Sequence, residues 1–303
     1  MTEASQTQIA IVGAGFSGLG VAFRLKQRGY EDFVVLERAD AVGGTWRDNT
    51  YPACACDVQS HLYSFSFAPD PGWTRSFAPQ KEIYRYLNAC VEHFGVGPHI
   101  RYKHDVREAV WLDDEQRWRI TTNQGVIMAQ FLLLGTGPLS EPSLPAIPGI
   151  EHFAGKLFHS ARWDHDYDLH GKRVAVIGTG ASAIQFTPQI QPQVEQLYLF
   201  QRTPPWVIPR LDHEIPLWRR MLYRFAPFTQ RLVRDVIYWQ REINVLGMVY
   251  RPAILQNAER LILRNLERQI ADPQLRAKMT PNYRLGCKRI LLSDDFYPAI
   301  TRP

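Results

Sequence analysis

The sequence predicts an α/β protein with two Rossmann-like dinucleotide-binding domains, and three observations carry that prediction. Two glycine-rich turns, GAGFSG at 13–18 and GTGASA at 178–183, each follow a short apolar run. Each is followed by a helix-like stretch and a second apolar run, the order of a βαβ unit. Between them, residues 106–134 break into short strand-like segments separated by turn residues, the pattern of a β-meander. The expected architecture is FAD/NAD(P)-binding, of the three-layer ββα type with a meander, plus a helical insertion.

Each element has a local reason. Residues 9–12 (IAIV) form a continuous apolar run, as a strand buried on both faces of a parallel sheet requires. A helix follows the first turn to about Gln27, with Gly29 as its stop, and 33–36 (FVVL) is the next buried strand. In 80–94, Ile83, Leu87, Val91 and Phe94 recur at helical spacing, a core-facing amphipathic helix. The meander turns near 113–116 and 123–125 and closes on 131–134 (FLLL), expected as another buried strand. The Pro-rich stretch 138–148 marks a junction. A second βαβ runs from 173–177 (RVAVI) to 197–200 (LYLF). Residues 213–280 read as helices, with Trp218, Leu222, Phe225 and Phe228 expected to pack in the core or a lid. Leu291 and Leu292 suggest one more strand in the second domain. The domains are thus 1–140, a linker at 141–170, and 171–303 with the insertion at 213–280.

Bulk properties narrow the function classes. The 303 residues, 45% hydrophobic and 21% charged, describe an ordinary globular chain of about two domains. Net charge is +5 and the pI near 9.0. Lys and Arg are spread along the chain without a basic tail, which argues against nucleic acid. The first residues lack the basic and apolar regions of a secretory signal, and no apolar run approaches the ~18 residues of a membrane span. The cysteines Cys54, Cys56, Cys90 and Cys287 form neither a C-x-x-C pair nor a metal-ligand cluster. Reduced thiols, no metal and a cytoplasmic location are expected.

The two turns differ at one informative position. In the first, Gly13 allows the tight turn, Gly15 lets backbone approach a pyrophosphate, and Gly18 allows close helix–strand packing. The helix N-terminus adds N–H groups and partial positive charge. Gly178, Gly180 and Ala183 repeat the pattern in the second turn. Glu37 lies 24 residues after Gly13, and Arg202 lies 24 residues after Gly178. A carboxylate there suits a free ribose 2′-hydroxyl, whereas a guanidinium suits a 2′-phosphate. The first site therefore fits the ADP half of FAD or NAD and the second fits NADP. Two sites of opposite preference imply electron transfer, with NADPH reducing a flavin.

Gly43-Gly44-Thr45-Trp46, the turn Gly135-Thr136-Gly137 and the second nucleotide turn together resemble the class B flavoprotein monooxygenases. Within them, Phe153-x-Gly155-x-x-x-His159-x-x-x-Trp163-Asp164 is similar to the fingerprint of Baeyer–Villiger monooxygenases. The related N- and S-oxygenating enzymes carry Tyr or Phe where Trp163 stands. The resemblance covers essentially the whole chain. It implies FAD and NADPH as cofactors, with Gly44, Thr45 and Trp46 at the flavin. It implies a fingerprint in the linker, where His159 couples domain movement to catalysis; on the residues alone His159 reads equally as structural. Phe153 and Trp163 would pack as anchors, with His159 hydrogen-bonding across the joint.

The resemblance also implies that Asp57 and Arg289 are active-site residues, and that Lys288 and Thr203 join Arg202 at the 2′-phosphate. Ala53 departs from the family, whose members usually have Gly at that position. The implied reaction is oxygen insertion beside a ketone carbonyl, giving an ester or lactone through a flavin C4a-peroxide stabilised by Arg289. Substrates are then O₂ and a ketone, or a sulfide or amine in the neighbouring type. The alternatives are an N- or S-oxygenating enzyme and a non-catalytic nucleotide-binding protein. Because later strands of both domains are not found, the chain reads as an N-terminal portion of a monooxygenase, with apolar sheet faces left uncovered.

Overall fold

A computed structural model describes residues 4–245, 250 and 252–302. The chain divides into two compact units, one of residues up to 50 with 80–162, the other of 51–79 with 163 onward.

In the first unit β1 (Ser5–Val12) runs parallel to β2 (Phe33–Leu36) on one side and to β6 (Gly125–Leu134) on the other. The sheet continues through β3 (Ile100–Arg101) at one edge, and through β5 (Arg117–Thr122) and β4 (Val106–Leu112) at the other. β4, β5 and β6 are antiparallel, so the meander and the parallel sheet are one six-stranded sheet joined along β6. Helix α1 (Phe16–Gln27) connects β1 to β2 and ends before Gly29 at φ 77°. Short α2 (Thr45–Asp48) and α3 (Gln80–His93) follow, with Ile83 and Leu87 of α3 fully buried. The core gathers Ala10, Val34, Leu36, Ile120, Ile127 and Ala129, the inward side of alternating strands.

The second unit contains β7 (Arg173–Ile177), α4 (Ala181–Ile190) and β8 (Gln196–Phe200), with β7 and β8 parallel. β9 (Val207–Ile208) precedes the helices α5 (Leu217–Phe225), α6 (Pro227–Val245), α7 (Pro252–Gln269) and α8 (Pro273–Met279). β10 (Leu291–Leu292) and α9 (Phe296–Ile300) follow. The core here is Ile184, Val207, Leu266, Ile270 and Phe296 with their neighbours. No helix among the described residues is long and apolar enough to cross a membrane.

Both βαβ units therefore stand where the glycine patterns place them. Two expectations need correction, on 131–134 and on the helical insertion, while the strand expected at Leu291 and Leu292 is present. Residues 131–134 are strand but not buried: Leu134 is 72% exposed and Phe131 52%. β5 accompanies β6 only as far as Ala129, and beyond it Leu132 alone of these four packs against the core. β10 pairs with β9, not with the β7–β8 pair. Trp218, Leu222, Phe225 and Phe228 are exposed, while Tyr223 on the other side of α5 is buried. Helical spacing identifies an apolar stripe but not the side that meets the protein.

Candidate functional site

The first glycine turn is built by close backbone contacts. Gly13 donates to Leu36 O (2.8 Å), and Gly135 donates to Val12 O (2.7 Å). Gly13 has φ 97°, and a Cβ there would lie 2.7 Å from Gly135 O. A Cβ on Gly18 would run into the Gly13 carbonyl oxygen. Gly15 is the N-cap of α1 and offers no side-chain cap. Facing it is Gly44 at φ 51°, where a Cβ would stand 3.2 Å from Gly15 Cα. Backbone thus lines both sides of this turn, and the α1 N-terminus carries its usual partial positive charge. That cradle fits a pyrophosphate. Beside Gly44, Thr45 is exposed and Trp46 is buried.

Glu37 directly follows β2 and is 5% exposed. Its Oε2 accepts from Ala14 N (2.8 Å), inside the glycine turn. Its Oε1 accepts from Ala39 N (3.0 Å) and from Arg47 Nη1 (3.1 Å). Three donors of the protein therefore hold a group with about four acceptor sites. Arg47 escaped the sequence reading, because only a basic residue beside the Gly-Gly-Thr-Trp run pointed to it.

The second turn repeats the geometry more openly. Gly178 has φ 106° and donates to Phe200 O (2.8 Å). Gly180 caps α4 without a side chain, and a Cβ at either glycine would meet nothing within 4 Å. Ala183 is buried in the first turn of α4. Arg202 is exposed just past β8, with half-buried Thr203 beside it. Arg202 lines a cavity of about 600 Å³ together with Lys278 and Arg302. Glu195 and several apolar side chains complete the lining, so three cations face one acid there, a balance that suits an anionic group.

Asp57 and Arg289, 232 residues apart in the chain, form an ion pair: Arg289 Nη2 donates to Asp57 Oδ2 at 2.5 Å. Asp57 is mostly buried and Arg289 mostly exposed, so the carboxylate holds a guanidinium that reaches outward. The loop before Asp57 is fixed by Gln185 of α4. Gln185 accepts from Tyr51 OH (3.0 Å) and Ala55 N (3.3 Å), and donates to Ala55 O (3.1 Å). Burial pushes the Cys54 and Cys56 thiols up to about 11 and about 12, so neither supplies a thiolate near neutrality. Ala53 has φ 59°, in the left-handed region. Lys288 lies 4.5 Å above the Tyr283 ring. The sequence signal for Gln185 was a polar residue on a helix whose neighbours are buried.

The division between the units falls at Arg162/Trp163, inside the fingerprint. His159 Nδ1 accepts from Ala161 N (3.0 Å) within the 3₁₀ turn at Ser160–Arg162, which leaves the ring proton on Nε2. That recorded bond is local to its own turn. Phe153 is 59% exposed, not a packed anchor, and its ring covers Gly155, where a Cβ would lie 2.6 Å from Cζ. Trp163 does pack, with its ring centroid 5.1 Å from that of Phe186.

A family described as flavin-binding monooxygenase-like matches residues 6–248. The chain is 54% identical over 296 residues to a Baeyer–Villiger monooxygenase of Streptomyces coelicolor, covering 98% of this chain and 57% of that protein. It is 49% identical over 298 residues to one of Pseudomonas aeruginosa, covering 98% and 56%. Among solved structures, an oxidized steroid monooxygenase bound to NADP superimposes with a TM-score of 0.86 at 32% identity, over 98% of this chain and 64% of that one. The chain thus spans little more than half the length of the curated relatives it matches. With two glycine turns, an acid at one and a guanidinium at the other, this chain belongs to the flavin-binding monooxygenase-like family.

Proposed function

We propose that the chain carries the FAD and NADPH sites of a Baeyer–Villiger monooxygenase. The net reaction consumes a ketone, O₂, NADPH and a proton, and yields an ester or lactone, NADP⁺ and water. The observation that carries this reading is the Asp57–Arg289 pair. Bound FAD supplies the carrier that accepts hydride from NADPH and passes electrons to O₂. The protein's part is to bind, orient and stabilise charge. The first glycine turn holds the flavin pyrophosphate, with Glu37 toward the ribose; Gly44, Thr45 and Trp46 border the same cofactor. The second turn and Arg202, with Thr203 and Lys288, hold the NADPH phosphates. Arg289 keeps its positive charge in any protein environment, which suits an anion developing at the reacting oxygen. Asp57 orients that guanidinium. His159 acts through its turn at the linker. Residues 1–140 and 171–303 then serve FAD and NADPH, with 141–170 between them. Free thiols fit a cytoplasmic setting.

The test begins with absorbance. Purified with FAD, the protein shows a flavin spectrum that bleaches on anaerobic addition of NADPH. Arg289→Ala keeps the bleaching but loses ketone oxygenation by roughly 10²-fold or more, the scale of removing one preorganised charge partner. A colourless chain that takes up neither nucleotide refutes the reading. Oxidation of amines or sulfides with ketones untouched places it in the neighbouring type.

A further inference from the structure

We propose that Arg47 is a positioning residue of the first nucleotide site, locking the ribose-facing acid Glu37 and tying it to the fingerprint linker through Asp48 and Arg162. The inference rests on reading the first glycine turn as a dinucleotide site. Glu37 is nearly inaccessible, and a buried carboxylate needs a counter-charge as well as hydrogen bonds. The Ala14 and Ala39 amides supply hydrogen bonds, and Arg47 supplies the charge.

The guanidinium is itself held from several sides. Nη1 donates to Glu37 and to Ala41 O (2.6 Å), on the loop between β2 and α2. Nε and Nη2 fork onto the two oxygens of Asp48, at 2.8 and 3.1 Å. Such a bidentate pair fixes orientation in a way a lysine cannot reproduce. Because Oε2 of the same carboxylate holds Ala14, losing Arg47 frees the acid to turn and loosens the glycine turn with it. One acceptor position on Glu37 then points less reliably at a ribose hydroxyl. The same Asp48 Oδ2 that accepts from Arg47 Nη2 lies 3.9 Å from Arg162 Nη1, within the stretch between His159 and Trp163. That last link is half exposed and weak alone, so its effect falls on linker order and not on fold stability.

The experiment titrates apoprotein with FAD for the wild type, Arg47→Met, Glu37→Gln, the double variant and Arg47→Lys. Arg47→Met weakens FAD binding about tenfold, and Arg47→Lys recovers part of the loss. In the Glu37→Gln background, Arg47→Met adds little, because Arg47 acts through Glu37. Trypsin cleavage at Lys156 and Arg162 speeds up in Arg47→Met even without FAD. Equal effects of Arg47→Met in both backgrounds overturn the proposal, as does unchanged FAD affinity and proteolysis. Should Arg47→Met not fold, the Arg47→Lys arm decides: full wild-type affinity overturns the role. A wild-type chain that takes up no FAD refutes the nucleotide reading itself.

Discussion

Ala53 shows how one side chain is held against its own preference. Its φ of 59° belongs to a region where a Cβ crowds the following carbonyl. The cost is about 1 kcal/mol relative to glycine. The conformation persists because Gln185 clamps the adjoining backbone on both sides of Ala55. Ala53→Gly is therefore expected to stabilise the protein by about 1 kcal/mol, raising Tm by a few degrees in calorimetry. An unchanged or lower Tm would show that the loop pays nothing for its alanine. Asp57 follows on that same loop, so the glycine variant also shows whether loop strain matters to the Asp57–Arg289 pair.

Helices α5 and α6 work as a clamp on the loop around His61. The Gln230 amide of α6 donates to His61 Nδ1 (3.2 Å) and to Asp70 O (2.6 Å). An amide nitrogen only donates, so the imidazole must accept, and its proton sits on Nε2. Tyr223 of α5 meets the ring edge-on at 5.0 Å. Arg234 of α6 donates to the carbonyls of His61 (2.8 Å), Leu62 (3.0 Å) and Ser64 (3.2 Å). Burial, and then the Arg219 charge, push the imidazole down to about 4. The unfolded chain thus binds this proton more readily than the folded one between its usual value near 6.5 and about 4. Stability is fully present above that window and falls as pH drops through it, by roughly 3 kcal/mol if this group acts alone. Urea midpoints measured from pH 7 to 4 should decline, and His61→Asn should flatten that decline. An identical slope in the variant would remove His61 from the account.

At the scale of the molecule, many large apolar side chains among the described residues are exposed. On the β7–β8 pair, Ala175 opposes Tyr198 and Ile177 opposes Phe200 on one open face, with Ile177 and Phe200 more than half exposed. On α5 the usual amphipathicity is inverted, with Tyr223 buried and Arg219 and Arg220 partly buried while Leu217, Trp218 and Phe225 face out. Neighbouring exposed apolar side chains, as on the β7–β8 face, ordinarily seek cover. The chain by itself is expected to bind a hydrophobic dye and to self-associate as concentration rises, measured by light scattering. Phe225→Glu, at a position 78% exposed, should reduce association without lowering Tm. A dye-silent monomer at high concentration would contradict this.

Much of the geometry of the two glycine turns was legible in the sequence, because local rules govern it. A glycine turn between strand and helix needs no distant residue to be recognised, and the alternation of apolar runs set both βαβ units. Asp57 and Arg289 were different. Nothing in spacing joins residues 232 positions apart, and family resemblance alone singled them out. Which face of α5 turns outward, that 131–134 stands open, that β10 joins β9, and that Arg47 supports Glu37 were decided by tertiary packing. Periodicity fixes the stripe on a helix or strand, but only the neighbours brought in by the fold determine what lies against it.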